Sequence, residues 1–374
     1  MSSERRASTV GELVATLEER YPRAWAEAWD QVGLVVGDPG APMTGVLVTL
    51  DATAEAVQRA AAASANVLVT HHPPSLTVPE RVVAAPGPAG TLEAALRLQV
   101  AVISLHTNLD RSPAGGSALA ERLGLTILSP LESALEQVAL IVTYAPENAI
   151  PAIKAAMALA GAGRLGEYAG CSFISEGTGS FRPLAGALPA VVDDGVGVPE
   201  LRLEMVAPCA SIEAVLKAAR GAHPYEEPVV IALEGVRARG AARLGRVCSW
   251  IEGATLGDLA AHVSRTLGCS CRVWGGEERS VRRIAVANGS GGSLVADAQA
   301  AADTMIVGEV RYHDALAAVA AGLAVIEAGH DSTEWPLVSI LGDAVRASVA
   351  PTIEVIEESA TAGWWTMEDA DVRR

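Results

Sequence analysis

Leu68-Val69-Thr70-His71-His72-Pro73-Pro74 is a short apolar run, prepared by Ala65 and Val67, that ends in two adjacent histidines and two prolines. An apolar run of this length closed by prolines predicts a buried strand whose carboxyl end opens into a rigid loop. Neighbouring side chains on a strand face opposite ways. Beyond the strand end that alternation lapses, so both imidazoles can face one cavity. Pro73 biases His72 towards extended backbone. At this point a metal or catalytic role competes with plain exposed or capping histidines.

Upstream, Val10 to Glu19 places Leu13, Val14 and Leu17 on one helical face. The second half of 28–39 reads as a strand ending in a turn, and Val46 to Leu50 as another strand. Thr53 is placed to cap a helix over Ala54 to Ala63. Downstream, a Pro- and Val-rich loop spans Pro73 to Pro88, and Thr91 is expected to cap a helix to Leu98. Val100 to Leu105 is a strand that delivers His106-Thr107-Asn108-Leu109-Asp110 at its end. Strands alternating with helices predict an α/β layer architecture, and in open α/β sheets the carboxyl edge is where sites are built. Asp110 also suits a turn or helix cap, and His106 a hydrogen-bond partner of a metal ligand.

The texture changes after Pro130. Strands are expected at Val138 to Tyr144, Tyr168 to Ser175, Leu201 to Val206 and Pro228 to Leu233, with helices at Pro151 to Leu159 and Ser211 to Ala219. A turn is expected at Gly177-Thr178-Gly179. This order is that of ferredoxin-like modules and predicts an α+β domain over 131–244, inserted between core halves 1–130 and 245–374. His223-Pro224-Tyr225-Glu226-Glu227-Pro228 lies within it and reads as a helix-to-strand turn, with a small-molecule or metal site as the competing reading. Gly161 to Gly166 fits G-x-G-x-x-G but follows a helix, the wrong context for a dinucleotide fingerprint.

From Arg246 the α/β texture returns. A helix is expected over Leu256 to Leu267 and a strand over Arg283 to Ala287. The glycine-rich Asn288 to Ser293 then feeds a helix, an anion site in principle. Thr304 to Val307 and Leu323 to Glu327 are strands that end in Gly308 to Asp314, which contains His313, and in Ala328 to Glu334. His330 and Glu334 stand four apart at a helix start, so they share one face and can chelate one metal or set a carboxylate between two. A last strand is expected near Thr352 to Val355, followed from about 359 by a polar, mobile tail with Trp364 and Trp365.

The chain has 374 residues, which favours two domains. Half of its residues are hydrophobic, and the mean hydropathy is positive. The net charge of −16 argues against nonspecific nucleic-acid binding and favours cations. Five cysteines without regular spacing argue against a disulfide framework, and Cys269-Ser270-Cys271 lacks the second half of a zinc knuckle. Reduced thiols are the expected state. Neither a signal-peptide core nor a membrane-spanning apolar run is evident, so a cytoplasmic location is expected.

Taken together, Trp29-Asp30-Gln31-Val32-Gly33-Leu34, Thr70-His71-His72-Pro73, His106 to Asp110, Gly308 to His313, and Gly329-His330 with Glu334 resemble the dinuclear-metal-centre hexameric proteins, often called GTP cyclohydrolase 1 type 2-like. The stretch with Gly166-Glu167-Tyr168, Cys171-Ser172-Phe173, Gly177-Thr178-Gly179 and His223 to Glu227 is similar to the PII-like domain of the family's long members. The resemblance implies five ligands for two divalent ions: His71, His72, Asp110, His330 and Glu334. Gln31 and Val307-Gly308-Glu309 depart from the family pattern (Asn, and Thr-Gly-Asp), away from those five positions. A bridging Glu334 would set the ions about 3.5–4 Å apart. His71 and His330 are expected at one ion, and His72 and Asp110 at the other. The donor set suits zinc, iron or manganese.

The resemblance further implies a toroidal homohexamer and a hydrolase whose metal-activated water attacks a heterocycle such as GTP. His313 or His106 would shuttle protons, and Gly289 to Ser293 would hold phosphate. The alternative is a non-catalytic metal carrier or a ligand-sensing scaffold, with a small molecule or nucleotide as its ligand.

Overall fold

The computed structural model describes residues 6–27, 29–77, 79–166, 168–191, 197–240 and 242–359. Glu167 and the tail from 360, including Trp364 and Trp365, lie outside the described residues. The chain forms two compact units, one comprising the residues up to Ser133 and from 241 onward, the other Ala134–Gly240. No helix among the described residues is long and apolar enough to cross a membrane.

The first half of the larger unit runs α1 (Val10–Arg20), β1 (Gly33–Val36), β2 (Gly45–Asp51), α2 (Ala54–Ala62), β3 (Val67–His72), α3 (Pro88–Leu98), β4 (Ala101–Ser104), α4 (Thr107–Arg111), α5 (Gly115–Arg122) and β5 (Thr126–Pro130). Local chemistry sets the starts of the first two helices. Thr9 and Glu12 form a reciprocal capping box at α1, and Thr53 caps α2 through the Ala56 amide. At α3 the outcome differs from expectation. The helix begins a turn early at Pro88, behind Gly87 at φ +89°, and Thr91 sits inside it with its hydroxyl on the Gly87 carbonyl. Proline at the first helical position needs no amide partner, which lets it open the helix.

The smaller unit runs β6 (Leu135–Ala145), α6 (Ile150–Leu159), β7 (Phe173–Gly179), β8 (Val198–Pro208), α7 (Ile212–Ala222) and β9 (Val230–Ala238). Its antiparallel sheet has the order β7-β8-β6-β9. Both helices close one face over Ile141, Ile153, Met157, Leu203, Met205 and Val215. The second strand, β7, comes later than the sequence suggested, and Gly177-Thr178-Gly179 lies within it instead of forming a turn. The reason is pairing: Gly177, Thr178 and Gly179 lie opposite Glu200, Pro199 and Val198 of β8, and a Cβ on Gly179 would sit 2.1 Å from Glu200 Oε2.

The chain then returns as β10 (Arg246–Ser249), α8 (Leu256–Leu267), β11 (Arg272–Trp274), β12 (Ile284–Val286), α9 (Val295–Ala301), β13 (Thr304–Val307), α10 (Tyr312–Ala320), β14 (Ala324–Glu327), α11 (His330–Ser348) and β15 (Glu354–Glu357). The larger unit holds two mixed sheets, ordered β1-β4-β3-β2-β15 and β11-β14-β13-β12-β10-β5. In the first, β4, β3, β2 and β15 are parallel, as are β12, β13 and β14 in the second.

Both faces of each sheet are covered, which explains the near-continuous Val/Leu/Ile runs of the central strands. Leu13, Leu17, Leu337, Leu341 and Val345 pack on Val46, Val48, Val67 and Val69. Ala56, Val57, Ala60, Ala94 and Ala95 pack against Leu47, Leu68 and Val102. The second sheet is sandwiched likewise, with Leu256, Leu259 and Val263 among the residues of one layer and Ala298, Ala315 and Ala318 among those of the other.

Candidate metal centre

The central parallel strands of both sheets send their carboxyl ends to one place. Strand β3 runs on through both histidines, with His72 still paired opposite Asp51 of β2. The strand is thus longer than the sequence suggested. The two rings nevertheless lie 4.9 Å apart, because neighbours on opposite sides hold them. His71 Nδ1 is 2.9 Å from the Leu105 carbonyl, just past β4, and His72 Nδ1 is 2.8 Å from Asp51 Oδ1 at the end of β2.

The other two imidazoles of the cluster follow the same rule. His330 Nδ1 meets Glu309 Oε1 at 3.0 Å, and His106 Nδ1 meets Asp30 Oδ1 at 2.8 Å. An acceptor at Nδ1 fixes the proton there and leaves Nε2 as a lone pair. The Nε2 atoms of His71, His72 and His330 all face Glu334. His71 Nε2 lies 3.6 Å from Asp110 Oδ2 and 3.7 Å from Glu334 Oε1. His72 Nε2 and His330 Nε2 lie 2.9 and 3.2 Å from Glu334 Oε2. Asp110 therefore groups with His71, and His330 with His72, the reverse of the pairing expected from the sequence. Anchoring decides this: His71 leans towards β4 and the α4 turn that carries Asp110, while His72 leans towards β2.

His71 is wholly buried and Glu334 nearly so. Yet while the Nε2 atoms carry no proton, His71 Nε2 and Glu334 Oε2 have no hydrogen-bond partner. Buried polar atoms left without one are costly. Lone pairs aimed at common points instead of at donors are what a cation requires. Ligand atoms of His71, His72 and His106 lie within 4.8 Å of one another, as do those of His72, His330 and Glu334. The residues present therefore fit a divalent ion bound through nitrogen and oxygen.

Without a cation, protons take its place. Burial pushes His72 down, but hydrogen bonds to Asp51 and Glu334 outweigh it and raise its pKa to about 10. For His330 the hydrogen bond to Glu334 outweighs burial, raising it to about 9. His71 is raised too, with burial opposed by Asp110 and Glu334. Glu334 is held well below the carboxylate range: burial would raise it, and the three imidazoles win.

The glycine-rich loop serves this centre structurally. Gly289 has φ +52°, and a Cβ there would fall 2.0 Å from Glu334 Oε1. Its amide donates to Thr333 Oγ1, and Asn288 Nδ2 donates to Asp110 Oδ1. Three partners escaped the sequence reading: Asp51, Glu309 and Asp30. Asp30 has a fully buried side chain that also accepts from the Thr107 amide and hydroxyl. Hydrogen bonds from His106 and Thr107 hold its pKa low against burial. Only its place in the Trp29-Asp30-Gln31 motif signalled it.

A cavity of about 800 Å³ opens over the cluster, lined by Trp29, His72, His106, Asp110, His330 and Glu334, with Ser290, Ser293 and Arg311 also on its walls. His313 is not among its lining residues. It is exposed in the first turn of α10, against the Tyr312 ring.

The Duf34/NIF3 (NGG1p interacting factor 3) family model matches residues 8–361. The GTP cyclohydrolase 1 type 2 homolog of Mycobacterium leprae is 32% identical over 363 residues, 93% of each chain. The homolog of that name in Bacillus subtilis is 33% identical over 328 residues, covering 85% of this chain and 87% of that protein. Among solved structures, a Bacillus cereus protein related to NIF3 aligns with a TM-score of 0.64 at 28% identity, over 97% of this chain and all of that one. The chain belongs to the Duf34/NIF3 family.

Proposed function

We propose that the chain is a metal-dependent hydrolase with two divalent ions, acting on a heterocycle of the purine nucleotide class such as GTP. One observation carries the reading. Glu334 turns one oxygen to His71, whose Nε2 also faces Asp110, and the other to His72 and His330. His71, Asp110 and Glu334 would hold one ion, and His72, His330 and Glu334 the other. Zinc, iron and manganese all suit these donors. When bound, the ions supply Lewis-acid activation of water and of the substrate.

The chain's own residues do the rest. His106 keeps its Nδ1 proton on Asp30 and offers its other nitrogen as a proton acceptor at the cavity wall. Asp30 fixes that tautomer and steadies the charged imidazole. Ser290, Ser293 and Arg311 supply donors for phosphate. The name of the curated relatives supports GTP as the first substrate to try. By the same resemblance the Ala134–Gly240 unit is PII-like and the assembly is a toroidal homohexamer, while the sequence itself suggests a cytoplasmic protein. Light scattering would then read about six times 38.4 kDa.

Metal analysis after loading, followed by GTP and a panel of related heterocycles and esters, tests the reading. About two equivalents and turnover are expected, and Glu334→Gln should abolish turnover in a folded protein. Fewer than about 0.2 equivalents under replete conditions would end the dinuclear reading, since such a donor set binds tightly at neutral pH. Stoichiometric metal without turnover on any substrate would make the protein a carrier or a sensing scaffold.

A further inference from the structure

We propose that the smaller unit carries a binding site for a small organic cation, an ammonium or guanidinium group on an apolar body, with the Glu200 carboxylate as its counter-ion and aromatic rings as its walls. The site lies wholly within the Ala134–Gly240 unit, and the proposal is independent of any activity at the metal centre.

A cavity of about 320 Å³ opens at the Gly179 end of β7, walled by the rings of Tyr144, Phe181 and Tyr225. That volume falls at the lower end of the range for small-molecule sites, about 300–1,000 Å³. Among the described residues, the charged groups on its walls are all carboxylates: Glu200, Glu226 and Glu227. The nearby cations do not line it. Arg220 pairs with Glu227 at 3.4 Å, and Arg202 is tied to Glu204 at 2.6 Å. An anion would meet like charge here. A cation meets a counter-charge and the negative faces of aromatic rings together. Tyr144 already takes one cation in this way, with the Arg202 guanidinium of the neighbouring strand 5.8 Å from its ring centre.

The walls are held by His223-Pro224-Tyr225-Glu226-Glu227-Pro228, which lies between α7 and β9. His223 is buried. Its Nε2 donates to the Tyr144 carbonyl at 2.9 Å, and its Nδ1 accepts from the Tyr225 amide at 3.1 Å. One neutral imidazole thus fixes the backbone of both tyrosines, and burial, which pushes its pKa down, keeps it neutral. The Tyr225 hydroxyl donates to Glu200 Oε1 at 2.6 Å. Glu200 Oε2 passes over Gly179, where a Cβ would sit 2.1 Å from it. The counter-ion is therefore positioned by a donor at one oxygen and given room by a glycine at the other. Glu226 accepts from the Leu188 amide at 3.0 Å, which ties the turn to the chain that follows β7.

The test titrates the full-length protein with three ligands that share one body and differ in charge: 2-phenylethylamine, 2-phenylethanol and phenylacetate. Calorimetry at neutral pH should show the amine binding at one site, about tenfold more tightly than the alcohol, the scale of one carboxylate pair and one ring contact together. Phenylacetate should bind most weakly. Metal-loaded and chelated protein should bind the amine alike, and binding lost on chelation would place the amine on the metal centre and overturn the proposal. Glu200→Gln keeps an acceptor for Tyr225 and should erase the preference for amine over alcohol. Gly179→Ala leaves every charge in place and should weaken the amine by displacing the carboxylate. Equal affinity for amine and alcohol, tightest binding of phenylacetate, no amine binding at millimolar concentration, or an undiminished preference in Glu200→Gln would each overturn the proposal. The three-ligand comparison is made on the wild-type protein and decides the matter even where a substitution costs stability.

Discussion

Glu334 is buried, carries a charge and faces three imidazoles, so the cluster answers to each of its supports. The Asp51 and Glu309 carboxylates meet the Nδ1 atoms of His72 and His330. Asp51→Asn or Glu309→Gln should weaken metal affinity about 10- to 100-fold, the cost usual for losing such a partner. Chelator competition measures it, and unchanged affinity would show that these hydrogen bonds do not orient the rings. Gly289→Ala should lower metal loading as well, because its Cβ would strike Glu334 Oε1 at a backbone angle that favours glycine.

The chelated protein has a definite pH signature. His72 and His330 move from an ordinary 6.5 to about 10 and about 9 on folding. Their contribution is complete below pH 6.5 and is lost as the pH rises through 9 and 10. His330 is partly exposed and screened, so His72 should dominate. Thermal unfolding of the chelated protein should therefore occur at lower temperature at pH 9.5 than at pH 6. A flat profile would mean that these histidines are not clamped on Glu334. Strand ends and an i, i+4 spacing are local signals that marked His71, His72, Asp110, His330 and Glu334 among the candidates, and the family resemblance gave them as a set. The sequence hid Asp30, Asp51 and Glu309, whose partners are 76, 21 and 21 residues away.

At the scale of elements, α11 joins the centre to the core. Its first five residues include His330 and Glu334, while Leu337, Leu341 and Val345 fasten it beneath the first sheet. Thr333, between the two ligand candidates, donates to the Gly329 and His330 carbonyls and accepts from the Gly289 amide. Thr333→Val keeps the shape but strands that buried amide. The expected cost is about 1–3 kcal/mol in urea unfolding, and a smaller loss would show that the Gly289 amide finds another acceptor. Capping and periodicity made α1 and α2 legible. They failed at α3, where proline opened the helix, and at β7, whose extent follows its pairing with β8.

At the scale of the molecule, the larger unit is assembled from two stretches of chain that must recognise each other. Arg246 of β10 is buried and donates to Ser117 Oγ and to the carbonyls of Ser112, Pro113, Arg243 and Gly245. Gly116 makes room for it, since a Cβ there would meet the guanidinium at 2.6 Å. Arg246→Met would leave those acceptors unpaired, and a loss of about 3–5 kcal/mol is expected. The chain leaves and re-enters this unit at β5 and β10, which are paired antiparallel from Pro130 opposite Arg246. Replacing Ala134–Gly240 by a short turn should therefore leave a folded unit with unchanged metal loading; a protein that aggregates or unfolds would refute this.

That paired exit bears on chain entropy. A disordered excursion of this length between two hydrogen-bonded strands would tax the sheet with its closure cost, which grows slowly but steadily with loop length. Here the excursion brings its own ends together: Leu135 pairs with Ala238, and the Arg239 amide donates to the Ala134 carbonyl. The smaller unit settles its closure within itself, and to the sheet it is thermodynamically no longer than a hairpin.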